Sequence, residues 1–117
     1  MGDDKKVLNT ADAIKRMGGK KRLYIQMAGD FAADHGDAPR QIQEALDAGE
    51  RERAARLAHT MKGVAGSLGG DSLYTLSQEL QTALEAEGGE CSALLDRFHV
   101  ELQEFTQALN GYLAENS

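Results

Sequence analysis

A chain of 117 residues makes one domain, and its 13 basic and 19 acidic side chains leave a net charge of −6, which argues against nucleic acid as a partner. One cysteine, Cys91, excludes an intramolecular disulfide and fits a reducing cytosol; no apolar run reaches the roughly 18 residues that span a bilayer. The polar stretch Met1-Gly2-Asp3-Asp4-Lys5-Lys6 has no signal-peptide core, so a cytoplasmic location is expected and no membrane contact.

A single proline and the absence of alternating apolar runs predict an all-α chain. A short first helix is expected from Thr10 to Met17, with Asn9 or Thr10 as N-cap and Gly18-Gly19 as the stop. Its Ile14 and Met17 would close one end of the core. A second segment opens near Lys20 and carries Tyr24, Met27, Ala28, Phe31 and His35 on one face. The phase continues through Ala38, Ile42, Ala45 and Leu46 to a stop at Gly49. Pro39 interrupts it, because proline lacks a backbone donor and clashes with the preceding turn. A break or kink is expected there, with Asp37 as a new N-cap. The next helix runs from about Glu50 to Leu68 and is closed by Gly69-Gly70. Asp71 or Ser72 would cap its successor, which carries Leu73, Leu76, Leu80, Ala83 and Leu84 and ends at Gly88-Gly89. The last helix, about Ser92 to Ala114, spaces Leu95, Phe98, Leu102, Phe105, Leu109 and Tyr112 as a bundle seam. Short connections favour antiparallel neighbours. The expected fold is an antiparallel four-helix bundle, up-down-up-down, with a short extra N-terminal helix. It is a single domain over 1–117, with its core at about 8–113. No surplus apolar stripe remains for self-association, so a monomer is expected.

The helix around His59 carries the chemistry. Leu57, Met61, Val64 and Leu68 recur at i, i+4, i+7 and i+11, and at about 100° per residue they stay within about 40° of one direction. On that wheel His59 falls near 200°, with Lys62, Gly63 and Gly66 at about 140°, 240° and 180°. All four then face outward. Glycine in a helix interior costs about 1 kcal/mol relative to alanine, so an outward pair of them has to be explained. Close approach by another body would explain it. An ammonium one turn from an imidazole favours a bound anion such as a phosphoryl group. A neutral imidazole, with an ordinary pKa of about 6.5, is a nucleophile at physiological pH. The residues therefore describe a nucleophilic or phospho-accepting histidine on a smooth helix face, offered to a large partner. Ala55 and Arg56 would lie on the same outward side, and Gln78 and Gln81 on the next helix.

The run His59-x-x-Lys62-Gly63, followed by Gly66 and Leu68-Gly69, resembles the signature of histidine-containing phosphotransfer (HPt) domains. The resemblance extends from about Leu8 to about Leu113. It implies that His59 is phosphorylated on a ring nitrogen, accepting the group from and donating it to aspartates of response-regulator receiver domains. It also implies that Lys62 lies beside the phosphoryl group and that Gly63 lets a receiver dock. Gln81 matches a glutamine that lines the same surface. Some members carry a basic residue where this chain has Glu85. The partners so implied are receiver domains of response regulators or hybrid sensor histidine kinases. No cofactor of the chain's own is expected, since a receiver would bring the Mg²⁺. The site expected is His59 with Lys62 and Gln81 for phosphoryl stabilisation, and Ala55, Arg56, Gly63, Gly66 and Gln78 for docking.

An exposed histidine alone is usually just solvated, and it is the lysine and glycines beside His59 that set it apart. His35 and His99 read as structural, Glu79 and Glu85 as solvated charges. The three histidines have no metal-ligand spacing, and no metal site is expected. Cys91 has no basic neighbour in sequence, so a reactive thiol is not expected. No glycine-rich phosphate loop occurs, so the chain is expected to be a substrate and relay and not an enzyme. The alternative is a helical binding module that regulates a histidine kinase or receiver without phosphotransfer. A general-base enzyme would need a pocket and a second catalytic group, which an exposed, glycine-flanked helix does not offer.

Overall fold

The computed structural model describes residues 7–86 and 90–116. Among them it forms six helices, α1 (Thr10–Arg16), α2 (Lys21–His35), α3 (Ala38–Asp47), α4 (Arg51–Leu68), α5 (Asp71–Glu85) and α6 (Ser92–Glu115). The all-α helical bundle matches the fold expected from the sequence. The second segment is split in two. Pro39 stands at the start of α3, where its missing N–H costs nothing, and Asp37 is the N-cap. Asp37 makes no side-chain capping bond. Its carboxylate pairs instead with Arg40, and hydrogen bonding from that guanidinium holds its pKa below the usual carboxylate range.

Ring contacts give the directions of the helices. Tyr24 meets Tyr112 edge-on at 5.6 Å and Phe31 meets Phe105 edge-on at 5.2 Å, so α2 and α6 run antiparallel. Leu73, Leu76, Leu80 and Leu84 of α5 and Leu95, Phe98, Leu102, Phe105 and Leu109 of α6 are all buried. Ile14 and Met17 are partly buried against the core. The boundaries shift slightly. Gly70, not Asp71 or Ser72, is the N-cap of α5. Gly88-Gly89 lie outside the described residues.

Helix α4 is the centre of the bundle, touched by α1, α2, α3 and α5. Its C-terminal carbonyls find partners on three sides. The Tyr24 hydroxyl donates to Leu68 O at 2.6 Å, Arg16 Nη2 to Gly66 O at 2.7 Å, and Asn9 N to Gly69 O at 2.7 Å. Gly69 is left-handed at φ 88°, and Gly70 N closes back on Ala65 O at 2.8 Å, the usual glycine-ended helix stop. The two glycines also serve close packing. A Cβ on Gly69 would stand 2.3 Å from Asn9 O, and one on Gly70 would stand 2.6 Å from the Phe105 ring. At the other end, Arg51 donates to Leu84 O at 2.9 Å and to Ala83 O at 3.0 Å, satisfying the last turn of α5.

Burial, with Tyr112 beside it, pushes the Tyr24 phenol far above its ordinary pKa, so it stays a donor. Tyr24→Phe keeps the ring but orphans the Leu68 carbonyl, and a loss of about 1–3 kcal/mol is expected in urea unfolding. Glu101 has a carboxylate oxygen that is buried without a partner among the described residues. Burial, and secondarily Glu104, raises its pKa above 4.5. The folded state then binds the proton more tightly than the unfolded state, so stability falls as pH rises through that range. Glu101→Gln is expected to raise the melting temperature at neutral pH and leave it unchanged near pH 3 (~1.5 units below the ordinary carboxyl value), as circular dichroism melts would record.

Candidate functional site

His59 sits midway along α4 and is exposed. The buried face of α4 is made by Ala54, Ala58, Met61, Ala65 and Leu68, while Leu57 and Val64 are only half-buried. The core direction therefore lies about 60° round from Leu57. Alanines dominate because α4 is packed from several sides and small side chains let its neighbours come close. The shift leaves His59 outward and makes Gly63 the residue most nearly opposite the core. Lys62 moves to the flank and is half-buried.

The packing bears on two expected docking residues. Ala55 is 7% exposed, with α5 alongside it, and what remains of its surface lines the same groove as His59. Gly66 faces α5. A Cβ there would stand 3.2 Å from the Tyr74 ring, so this glycine makes room for a neighbouring helix. Gly63 differs, with nothing within 4 Å of a Cβ placed on it. Gln78 is exposed and lines a second hollow with Thr75, Glu79 and Thr82; it does not line the groove beside His59.

Helices α4 and α5 bound an open groove of about 760 Å³. His59, Arg56 and Thr60 line it from α4, and Gln81, Leu84 and Glu85 from α5. His59 Nδ1 lies 3.3 Å from Gln81 Oε1, and Gln81 Nε2 donates to Glu85 Oε2 at 3.1 Å. The structure thus brings Gln81 to His59, as the resemblance implies. Arg56 and Lys62 stand one turn either side of the histidine, and neither forms an ion pair among the described residues. An approaching anion would find two uncommitted cations there.

Some of this environment is missed by the sequence reading. Glu85 is exposed, yet it is bonded to Gln81 and is more than a solvated charge. Its i, i+4 spacing from Gln81 is the signal that could have found it. Arg51 and Cys91 come together only through the fold. Arg51 Nη2 lies 3.4 Å from the buried Cys91 sulfur, so the thiol has a basic neighbour that sequence adjacency did not reveal. His35 packs on Phe31 with ring centres 5.7 Å apart, and His99 lies in a hollow with Pro39 and Arg40, remote from His59. Among the described residues no group of three or more His, Cys, Asp or Glu side chains could hold a metal ion. None of their helices is long and apolar enough to cross a membrane.

A family model, the Hpt domain, matches residues 26–113. The chain belongs to the Hpt domain family. Among solved structures it is similar to the HPt domain of a sensor hybrid histidine kinase from Shewanella, with 19% identity and a TM-score of 0.82. That match covers 93% of this chain and 95% of the other, and at such identity it establishes a shared fold. Comparison with curated proteins gives no match. Hpt domains are histidine phosphotransfer modules of two-component relays and work with receiver domains and histidine kinases.

The two glycines of this Hpt domain separate experimentally. Gly63→Ala fills open space on an exposed helix face and is expected to stabilise the fold by about 1 kcal/mol in urea unfolding. Gly66→Ala must displace Tyr74, and its gain is expected to be smaller or reversed.

Proposed function

We propose that His59 is the phosphorylated residue and that the chain relays phosphoryl groups to and from receiver-domain aspartates. The observation that carries this reading is the exposed imidazole on α4, backed by Gln81 and flanked by the open Gly63. Nδ1 is turned to Gln81, so Nε2 is the nitrogen free to react. Its lone pair attacks the phosphorus of a receiver's aspartyl phosphate. The N–P bond forms as the acyl P–O bond breaks, and the aspartate leaves as carboxylate. Reversal passes the group onward. The work of the chain is positioning and charge stabilisation, as in phosphoryl transfer generally. Lys62 supplies positive charge one turn from the ring, and Arg56 does so from the other side. Gln81 holds the ring. The Mg²⁺ and the acidic pocket belong to the receiver.

Docking uses the groove rim and the Gly63 side of α4. With Ala55 nearly buried and Tyr74 packed against one side of Gly66, most of the surface offered is Arg56, His59, Lys62 and Gly63. A patch of that size suits a transient interface, which can bury less than about 1,200 Å².

The test is incubation with a receiver carrying labelled phosphate. Wild type is expected to take up label that is acid-labile and alkali-stable, and His59→Gln to take up none. Gly63→Arg is expected to slow uptake by at least an order of magnitude, about 1.4 kcal/mol or more, with unchanged melting. Equal labelling of His59→Gln refutes the assignment. Binding of the receiver without labelling of wild type favours a regulatory binding module.

A further inference from the structure

The side chains behind His59 form a chain whose direction is set by its last member. Gln81 lies between His59 and Glu85, with Oε1 3.3 Å from His59 Nδ1 and Nε2 3.1 Å from Glu85 Oε2. A side-chain amide can be turned over, exchanging its oxygen and nitrogen. Glu85 decides between the two arrangements. An ionised carboxylate accepts hydrogen bonds and donates none. It is satisfied by the amide NH₂, whereas the reversed amide would set oxygen against oxygen. With NH₂ committed to Glu85, the amide oxygen faces the imidazole. That oxygen also only accepts, so Nδ1 must bear the hydrogen. A neutral imidazole has a single N–H, and the lone pair is therefore on Nε2.

We infer that Glu85 is a positioning residue for phosphotransfer, acting through Gln81 to keep the His59 proton on Nδ1 and Nε2 as the nucleophile. The inference rests on His59 being the phosphorylated residue. The histidine side chain in water prefers the opposite tautomer, with its hydrogen on Nε2, so the reactive form has to be imposed. Glu85 is well placed to impose it, being one turn beyond Gln81 on the same face of α5.

The arrangement also simplifies the transfer step. The Nε2 lone pair forms the bond to phosphorus, and the pair of the acyl P–O bond departs with the aspartate. Nδ1 keeps its hydrogen throughout, so the phosphorylated ring is cationic. Gln81 Oε1 accepts from that cation, and the Glu85 carboxylate lies just behind. When the group is passed on, the N–P pair returns to Nε2 and the departing ring is neutral imidazole, a far better leaving group than an imidazole anion. No proton has to move in either direction.

Ring-nitrogen NMR of the full chain labelled with ¹⁵N-histidine tests this, at a pH where imidazole is neutral. His59 is expected to be predominantly the Nδ1–H form in wild type. Glu85→Gln lets the amide face either way, and Gln81→Leu removes it; both are expected to return His59 to an Nε2–H majority. In both variants transfer from a phosphorylated receiver should slow by about three- to tenfold, the scale of one neutral hydrogen bond, with unchanged melting. An Nε2–H majority in wild type overturns the inference, as does an unaltered tautomer in Glu85→Gln. The tautomer is read without phosphate, so its outcome is separate from that of the relay. A chain with the expected tautomer that never accepts phosphate would overturn the relay, and with it the role of Glu85 in transfer, while leaving the hydrogen-bond chain standing.

Discussion

The satisfaction of helix-end carbonyls is the constraint on which the rest of this molecule depends. A helix leaves its last turn of carbonyls without internal partners. At the buried end of α4 these are met by Tyr24, Arg16 and the Asn9 backbone, which also fixes where α1 and α2 can lie. At the end of α5 they are met by Arg51, the first residue of α4. The two helices are thereby locked at both ends of their shared length, with Tyr74 packed over Gly66 at one and Arg51 reaching Ala83 and Leu84 at the other. Between these anchors the register of α5 on α4 has no freedom to slide. Gln81 stands opposite His59 because the ends of the pair are pinned.

Pinning also accounts for what kind of surface α4 can expose. A helix touched by four others has little outward face to offer, and on this one nearly every residue is polar or glycine. The alanines at 54, 55, 58 and 65 bring the neighbouring helices in close. Rigidity on the buried side makes a glycine on the open side affordable. Without tertiary support, Gly63 and Gly66 would weaken α4 by about 1 kcal/mol each. Helical stability in proteins comes mostly from packing, so the bundle can carry glycines that would weaken an isolated helix.

How much of this was legible in the sequence depended on range. The helices, their caps at Asn9 and Gly69, and the break at Pro39 are local and could be read from spacing and turn chemistry. The exposure of His59 could be read too, even though the stripe was centred on Leu57 and Val64. The leucine-based phase erred by about 60° because alanine, the buried residue of this helix, carries little hydrophobic signal. That error put Ala55 outside. It also left Gly66 without its reason, which is a tyrosine eight residues on, in another helix. Arg51 bridging to Leu84 and Cys91 is a relation across more than thirty residues and has no local signature. The Gln81–Glu85 pair was within reach of an i, i+4 reading, but its meaning needed His59 on the other side.

Charge shows why the local arrangement matters more than the total. The chain carries −6, and a receiver's phosphorylation pocket is itself acidic, so bulk electrostatics would oppose their meeting. Screening limits that opposition, since exposed charges farther apart than about 10 Å interact weakly at 0.1 M salt. Inside that radius the balance differs. Arg51 is spent on helix carbonyls, and the Glu85 carboxylate is engaged by Gln81. Arg56 and Lys62 remain without ion-pair partners among the described residues, one turn either side of the imidazole. Around the imidazole, therefore, the positive charge is uncommitted and the Glu85 carboxylate is occupied. A net acidic chain can thus gather uncommitted cations around one exposed imidazole, with Glu52 the acid that still lines the same groove without a bond among the described residues.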